Sequence, residues 1–403
     1  MHYRAVAAFF FSLLVAAAQV RAGEVERWNL VATGAAAAEQ ADPLTESRWF
    51  AIVHASIHDA LNAIEHRYEP YRAGVAAAPG ASPEAAVAAA AHACLVELMP
   101  ARKPAFDAAL AETLAQQKDK RAAAAGAQIG RQAAAVLLAS RRDDGASRPL
   151  AWAAGTKPGE YRPTPPDFTP AAFAHWGKVR PFVLASASQF RPAPPPAVAS
   201  ARARAEIEEV RVIGGKASAV RTAEQSEIAR YWYESSPQGW NRIAREVAAA
   251  RGLDAWESAR LLALVNFAMA DGFIGGFEAK HHFNYWRPAT AIREAGEAAW
   301  LNYLDTPPVP DHPSTHTVLG AAAATVLARF FGSDLVSFSM TSGEPYAGIT
   351  RRFWSFSEAA RENGASRILA GIHFASAVRA GYEQGERIGA WTYERALRPL
   401  RVD

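Results

Sequence analysis

Apolar residues along most of this chain recur at intervals of three and four positions, and few stretches alternate strictly with a period of two. Such intervals place apolar side chains on one face of a helix, and the abundant alanine favours the same structure. Helix-start signals stand between these stretches: Ser-Pro-Glu at residues 82–84, and capping-box sequences at 222–225 and 254–257. Pro100 ends the first of these helices, and the last is predicted to run to about Ala279. The pattern therefore predicts an all-α fold.

The helical pattern is interrupted over residues 146–200, where prolines crowd among large aromatic side chains. A disordered linker is one interpretation of such a segment, but so many aromatic side chains are costly to leave in water. We therefore predict an ordered Pro-rich connection over these residues. It joins two helical bundles, at residues 23–145 and 201–403, into one integrated domain.

The N-terminus has the pattern of a secretory signal peptide. Arg4 precedes an apolar stretch over residues 5–18, and Val-Arg-Ala at residues 20–22 supplies the small-x-small pattern that signal peptidase cleaves after. An uncleaved membrane anchor is the alternative, although the stretch is short for a spanning helix. We expect a signal peptide over residues 1–22 and a mature protein that is periplasmic or secreted.

Composition narrows the range of partners. The net charge is only +3 over 403 residues and the basic residues are scattered, which argues against a nucleic-acid-binding surface. Arg260, Asn266 and Asp271 interrupt the most apolar windows, which favours buried core helices over membrane spans after the signal. Cys94 is the single cysteine, and its apolar surroundings predict a buried, inert thiol. We expect small-molecule substrates, no nucleic acid and no integral membrane span in the mature chain.

Three short segments carry residues suited to an oxyanion. Asp-His-Pro-Ser-Thr-His at residues 311–316 stands directly before an apolar helical run that ends at Gly332. Ser314 occupies the position of a helix cap, so the backbone N–H groups that follow it should point at whatever lies in front of the helix. His316 adds a titratable imidazole in the same turn. A capped helix with a surface histidine is the alternative interpretation of this segment alone.

The second segment contains Lys280 and Arg287, seven residues apart among aromatic residues and just before Pro288. On a persisting helix these two cations would share a face, and an arginine fork with a lysine point charge suits phosphate. Arginine stacked on a neighbouring aromatic ring is the structural alternative. In the third segment, Arg367 is predicted near a helix start, and Gly371 allows close approach beside His373.

Together the three segments resemble the signature of the vanadium-dependent haloperoxidase and type 2 phosphatidic-acid phosphatase superfamily. That signature reads Lys, six residues, Arg-Pro; then Pro-Ser-Gly-His; then Ser-Arg, three residues, Gly-x-His, three residues, Asp. The chain keeps its order and spacing and departs from it at Thr315 and Ala377. Residues 48–62 and 286–292 also look like bacterial secreted haloperoxidase-like members. The resemblance implies two helical bundles of the haloperoxidase and acid-phosphatase type.

The resemblance also implies roles for the residues. His373 is the vanadate ligand and a catalytic residue, and His316 is the catalytic group that moves a proton. The oxyanion is held by the side chains of Lys280, Arg287, Ser314 and Arg367 and by the amide near Thr315. The cofactor is vanadate, and the reaction is oxidation of halide by hydrogen peroxide.

Two other functions stay open at this point. An exported soluble acid phosphatase would use the same site without vanadate, through a phosphohistidine at His373. An inactive oxyanion-binding relic is the third reading, favoured by Ala377. In phosphatase members the aspartate at that place orients the histidine, so here we expect another acceptor for its Nδ1–H group, such as a backbone carbonyl.

Two further features bear on metal and halide chemistry. His54 and His58 are four residues apart on a predicted helix, which is a zinc-binding spacing, but buried hydrogen bonds between helices are the interpretation we favour.

Val309 stands where fungal chloroperoxidases carry an aromatic residue that helps to fix halide, so the halide is undetermined. His282 and His312 could tune peroxide or halide, or lie on the surface.

Overall fold

The computed structural model describes residues 23–400, and the predicted signal peptide therefore lies outside the described residues. The α-helices, in chain order, are α1 Glu24–Ala38, α2 Pro43–Ile64, α3 Pro83–Leu98, α4 Lys103–Gln116, α5 Lys120–Arg141, α6 Ala201–Ile213, α7 Ala223–Tyr231, α8 Ser236–Arg251, α9 Ala255–Phe283, α10 Pro288–Glu294, α11 Thr315–Phe331, α12 Phe356–Leu369 and α13 Ala375–Arg395. Short 3₁₀ helices lie at Pro100–Arg102 and Trp176–Lys178. The all-α prediction is confirmed.

The predicted helix starts are confirmed by their caps. Ser82 accepts a hydrogen bond from the backbone N–H of Ala85, and complete capping boxes form at the starts of α7 and α9. Helix α9 extends four residues beyond the predicted end at Ala279 and closes with Asn284 in the left-handed conformation. These caps satisfy N–H groups that the first turn of a helix otherwise leaves unpaired.

A small antiparallel hairpin was not predicted. Strand β1, Phe338–Thr341, pairs with β2, Thr350–Phe353, in a register that sets Phe338 opposite Phe353. Four residues are too few to show an alternating pattern against the helical background. The hairpin buries Met340 and Phe353 in the main core.

One hydrophobic core runs through both halves of the described chain, from Val25 in α1 to Leu397 after α13. Helix α9 lies at its centre and packs against α2, α8, α11 and α13. It is long and apolar enough to cross a membrane, yet 94% of its apolar window is buried inside the protein, as in the core helix of a globular fold.

Helices α11 and α13 approach very closely, and this approach positions the candidate site. A Cβ atom at Gly381 would lie 2.6 Å from the backbone oxygen of Ser314, and one at Gly385 would lie 2.3 Å from that of Val318. Only glycine therefore permits this separation of the two helices. It brings the start of α11 against the start of α13.

The Pro-rich segment is attached to α9 by a buried carboxylate. Asp271 accepts hydrogen bonds from the backbone N–H groups of Phe182 at 2.6 Å, Val183 at 2.7 Å and Leu184 at 2.8 Å. Arg141 of α5 donates to the backbone oxygen of Pro181 at 3.1 Å and stacks over the ring of Phe182. The bundle boundaries near residues 145 and 200 stay a prediction.

His54 and His58 take part in buried hydrogen bonds. His54 Nε2 lies 2.6 Å from the amide nitrogen of Asn29, which links α2 to α1, and His58 Nδ1 lies 3.1 Å from Asp59. Among residues 23–400, no group of three or more His, Cys, Asp and Glu side chains is arranged to hold a metal ion. Cys94 is buried as predicted, and burial raises the pKa of its thiol to about 12.

Changing Asp271→Asn should lower the free energy of unfolding by about 3 kcal/mol, because an amide cannot accept all three N–H groups and leaves buried donors unpaired. Urea denaturation followed by circular dichroism measures this change. Asp143→Asn is the matched control, because Asp143 is 81% exposed and faces Arg148 only at 3.8 Å. A loss of less than about 1 kcal/mol in Asp271→Asn would contradict the anchoring role.

Candidate oxyanion site

Five structural elements contribute to the candidate site. Lys280 lies in the last turn of α9, Arg287 is the residue that precedes α10, and Ser314 is the residue that precedes α11. Arg367 lies in the last turn of α12, and His373 lies in the short connection to α13.

One local prediction about these elements was wrong, and the condition for a second was not met. Arg367 is at the end of a helix rather than near its start, so the helix dipole does not favour an anion beside its backbone. Lys280 and Arg287 do not share a helix face, because α9 ends at Phe283. The chain then turns through Asn284, and it is this turn that brings Arg287 back toward Lys280.

His373 is buried, with 3% of its surface exposed, and both of its ring nitrogens have partners. Its Nδ1 lies 2.9 Å from Oδ1 of Asp311. Nη1 of Arg287 lies 3.1 Å from Nε2 and 3.4 Å from Nδ1. Because an ionised carboxylate can only accept, the Asp311 contact requires the ring proton on Nδ1, which leaves Nε2 as the nitrogen that can accept from Arg287.

Asp311 is the functional residue that the sequence reasoning missed. It was part of the 311–316 segment, but it received no role. The other acceptor expected for His373 Nδ1–H is this carboxylate and not a backbone carbonyl. The available signal was an acidic residue beside the Ser314 box together with the absence of one at Ala377. Since Asp311 and His373 are 62 residues apart, no local pattern links them.

Both cations of the second segment bind the loop that carries Asp311. Lys280 Nζ donates to the backbone oxygens of Pro310 at 2.7 Å and Asp311 at 3.1 Å. Arg287 donates from Nε to the backbone oxygen of Val309 at 2.7 Å and from Nη1 to that of Ile372 at 2.6 Å. The cations therefore fix the backbone on both sides of the Asp311–His373 contact.

Ser314 and Thr315 present the start of α11 to this cluster. Within the described chain the Ser314 hydroxyl does not cap the helix; it accepts a hydrogen bond from the Thr317 hydroxyl at 2.9 Å. The first backbone N–H groups of α11 consequently lack a side-chain cap, as an anion site at a helix start requires. The methyl group of Thr315 lies against Gly276 of α9, where a Cβ atom would approach it to 2.6 Å.

His316 and Arg367 share one backbone acceptor. The backbone oxygen of Trp232 accepts from His316 Nε2 at 2.7 Å and from Arg367 Nη1 at 3.5 Å. The contact holds a proton on Nε2 of His316 and leaves Nδ1 as the nitrogen with the free lone pair. Arg367 stacks against Tyr233, and its buried Nε has no hydrogen-bond partner among residues 23–400.

Burial dominates the electrostatics of the site. It lowers the pKa of Lys280, His316 and His373 well below their usual values and lowers that of Arg367 to about 10. It raises the pKa of Asp311 to about 7, although Arg287 and Lys280 act in the opposite direction. The charges of Arg287 and Lys280 act on Asp311, and Arg367 is a third buried cation whose charge acts on Lys280 and His373. A bound oxyanion would compensate the excess positive charge and take up the unpaired Nε of Arg367.

The remaining histidines lie outside this cluster. His312 is buried rather than on the surface, with Nε2 2.9 Å from the backbone oxygen of Ala193 and its ring against Phe283. His282 is exposed. Val309 is buried, and its backbone oxygen serves Arg287.

Comparisons with known proteins agree with this geometry. Residues 260–401 match the family model described as the VCPO second helical-bundle domain, the region that contains all three segments. The vanadium chloroperoxidase of Curvularia inaequalis is 26% identical over 223 aligned residues, which cover 39% of this chain and 37% of that protein.

Solved structures extend the similarity to the whole fold. A bacterial vanadium-dependent iodoperoxidase superposes with a TM-score of 0.85 at 27% identity, over 94% of this chain and 98% of that one. A bacterial vanadium-dependent chloroperoxidase in its holo form superposes with a TM-score of 0.73 at 18% identity, over 88% and 91% of the two chains, and shares the fold. These similarities support the resemblance of the chain to the vanadium-dependent haloperoxidase and type 2 phosphatidic-acid phosphatase superfamily.

Proposed function

We propose that this protein is a vanadate-dependent haloperoxidase-like oxidoreductase that uses hydrogen peroxide to oxidise a halide. The observation that carries the proposal is a buried histidine whose Nε2 lies 3.1 Å from Arg287 and whose pKa is lowered by burial and by the charges of Arg287, Lys280 and Arg367. Among the described residues, Arg367 keeps an unpaired N–H group. The iodoperoxidase similarity supports the peroxidase reading over other oxyanion chemistry. We further propose that the protein acts after export to the periplasm or medium.

The residues fit a tetrahedral oxyanion such as vanadate. His373 would be its protein ligand through Nε2, and the oxygens would meet Lys280, Arg287 and Arg367 together with the Ser314 hydroxyl and the N–H near Thr315. Bound vanadate would supply a Lewis-acidic centre that activates hydrogen peroxide toward a halide, and peroxide, halide and one proton then give hypohalous acid and water.

The protein's own groups have separate tasks in this proposal. The Arg287 guanidinium lies 3.1 Å from His373 Nε2 and must move when a ligand binds there. His316, held through its Nε2 proton by Trp232, offers Nδ1 as the atom that takes up a proton and later returns it. Lys280 is fixed by two carbonyl oxygens. Its side chain is therefore already ordered beside the site before a ligand binds.

A soluble acid phosphatase working through a phosphohistidine is the second candidate, and one observation favours it. A carboxylate on Nδ1 makes a histidine a better nucleophile, and Asp311 supplies that carboxylate in place of the aspartate missing at Ala377. In this function His373 attacks phosphorus, and His316 protonates the leaving oxygen. The same cations would hold the transferring group.

Orthovanadate should bind the purified protein at one equivalent, and His373→Ala should abolish the binding, because the single nitrogen ligand is removed. Isothermal titration calorimetry measures both. His282→Ala is the matched control, since His282 is exposed and outside the cluster, and it should bind like the wild type. Full-strength binding in His373→Ala would remove the site assignment.

A paired assay separates the two candidate functions. After treatment with chelator, one sample receives vanadate, peroxide and iodide or bromide, and a parallel sample receives a phosphomonoester without vanadate. We expect halide oxidation without phosphate release, because the similarity is to haloperoxidases. Phosphate release alone would establish the phosphatase function. If neither sample shows activity while vanadate binding is intact, the protein is an oxyanion-binding relic.

A further inference from the structure

We propose that Asp311 is the positioning residue of His373 and holds it as the Nδ1–H tautomer, doing from the loop before α11 what the superfamily signature assigns to the residue at Ala377. The inference concerns the protein's own hydrogen bonds. Its relevance to catalysis rests on the proposed function, in which Nε2 of His373 binds the oxyanion.

The Asp311 contact determines the tautomer, and the Arg287 contact is compatible with it. Asp311 Oδ1 is 2.9 Å from Nδ1, and Nη1 of Arg287 lies across both ring nitrogens, 3.1 Å from Nε2 and 3.4 Å from Nδ1. An ionised carboxylate can only accept, so it requires the imidazole proton on Nδ1, and the guanidinium, which can only donate, then has Nε2 as its acceptor. This tautomer leaves the Nε2 lone pair for a ligand once Arg287 moves away.

The carboxylate is closer to the histidine than to the neighbouring cation. Asp311 lies 3.9 Å from Arg287 Nη1, a full ångström farther than from His373 Nδ1. Both partners are buried, so water does not compete for the contact, and a hydrogen bond to a charged acceptor is strong in such surroundings. A purely structural Asp311–Arg287 ion pair would show the reverse order of distances.

The backbone of Asp311 is fixed on each side. Its N–H donates to the backbone oxygen of Tyr285 at 2.9 Å, and its own oxygen accepts from Lys280. Three residues later, the N–H of Ser314 donates to the backbone oxygen of Ala377 at 2.9 Å. This last bond ties the Asp311 loop to the turn of α13 that lacks the family carboxylate. The substitution at 377 and the acidic residue at 311 therefore occur at adjoining positions of one site.

The direct test observes the tautomer in the protein without vanadate. Protein labelled with ¹⁵N-histidine gives long-range ¹H–¹⁵N correlations that distinguish protonated from bare ring nitrogens, and a His373→Gln sample identifies the signal of His373. The wild type should carry its proton on Nδ1. Asp311→Asn should increase the population with the proton on Nε2, because the amide NH₂ can donate to Nδ1. A wild-type signal with the proton on Nε2 would overturn the proposal without any variant.

A relocation variant tests whether the carboxylate itself is what matters. Asp311→Asn combined with Ala377→Asp moves the acid to the superfamily position and should restore the Nδ1–H tautomer. Orthovanadate affinity should fall about 10–100-fold in Asp311→Asn, the usual effect of losing an outer partner of a ligating histidine, and recover in the double variant. Asp305→Asn, an exposed carboxylate on the same stretch, is the control and should change neither quantity.

The outcomes separate the two proposals. If Asp311→Asn keeps both the Nδ1–H tautomer and the wild-type vanadate affinity, Asp311 has no positioning role. If the wild type binds no vanadate and oxidises no halide, the proposed function fails, while the NMR result still decides the role of Asp311. Thermal unfolding of each variant establishes that a changed tautomer comes from a folded protein.

Discussion

The burial of several like charges at one point is the constraint on which the rest of this structure depends. Lys280, Arg287 and Arg367 are each at most 4% exposed, and moving a charge from water into a protein interior costs several kcal/mol unless it finds partners. The protein meets most of this cost with backbone oxygens from residues 307–311 and Ile372, which accept from Lys280 and Arg287. One carboxylate does not balance three cations, and the remaining imbalance favours an anion at this position.

These backbone oxygens must be held in place, and helix contacts away from the site hold them. The glycine contacts between α11 and α13 bring Ser314 against Ala377, and the loop at Asp311 is then confined between them and α9. Asp271, nine residues before Lys280 on α9, fixes the Pro-rich segment by accepting three backbone N–H hydrogen bonds. The same helix therefore carries both the attachment of the connection and the lysine of the site. A change in the packing of α9 would therefore also displace Lys280 and alter the oxyanion site.

The sequence allowed the helical fold, the caps and the residues of the three segments to be predicted, because each depends on a local pattern or on a spacing. The sequence did not show that Arg367 lies at the end of a helix or that His373 lies outside one. An apolar run of mixed composition does not mark where one helix ends and the next begins. The hydrogen bond between Asp311 and His373 was beyond reach for another reason. It joins residues distant along the chain, and only the packing of α11 against α13 brings them together.

The two departures from the superfamily signature have different physical consequences once their surroundings are known. Thr315 replaces a glycine, and its methyl group is accommodated because the facing residue of α9 is Gly276, so the backbone N–H at 315 need not move. Ala377 removes a carboxylate, and Asp311 returns one to the same ring nitrogen from a loop whose own backbone is tied to position 377. This carboxylate lies within 3 Å of the ring nitrogen, so His373 has the acceptor that a functional site needs despite the alanine at 377. Both the peroxidase and the phosphatase reaction need an acceptor at Nδ1, so this contact does not distinguish them. The groups that surround Nε2 decide which reaction the site supports.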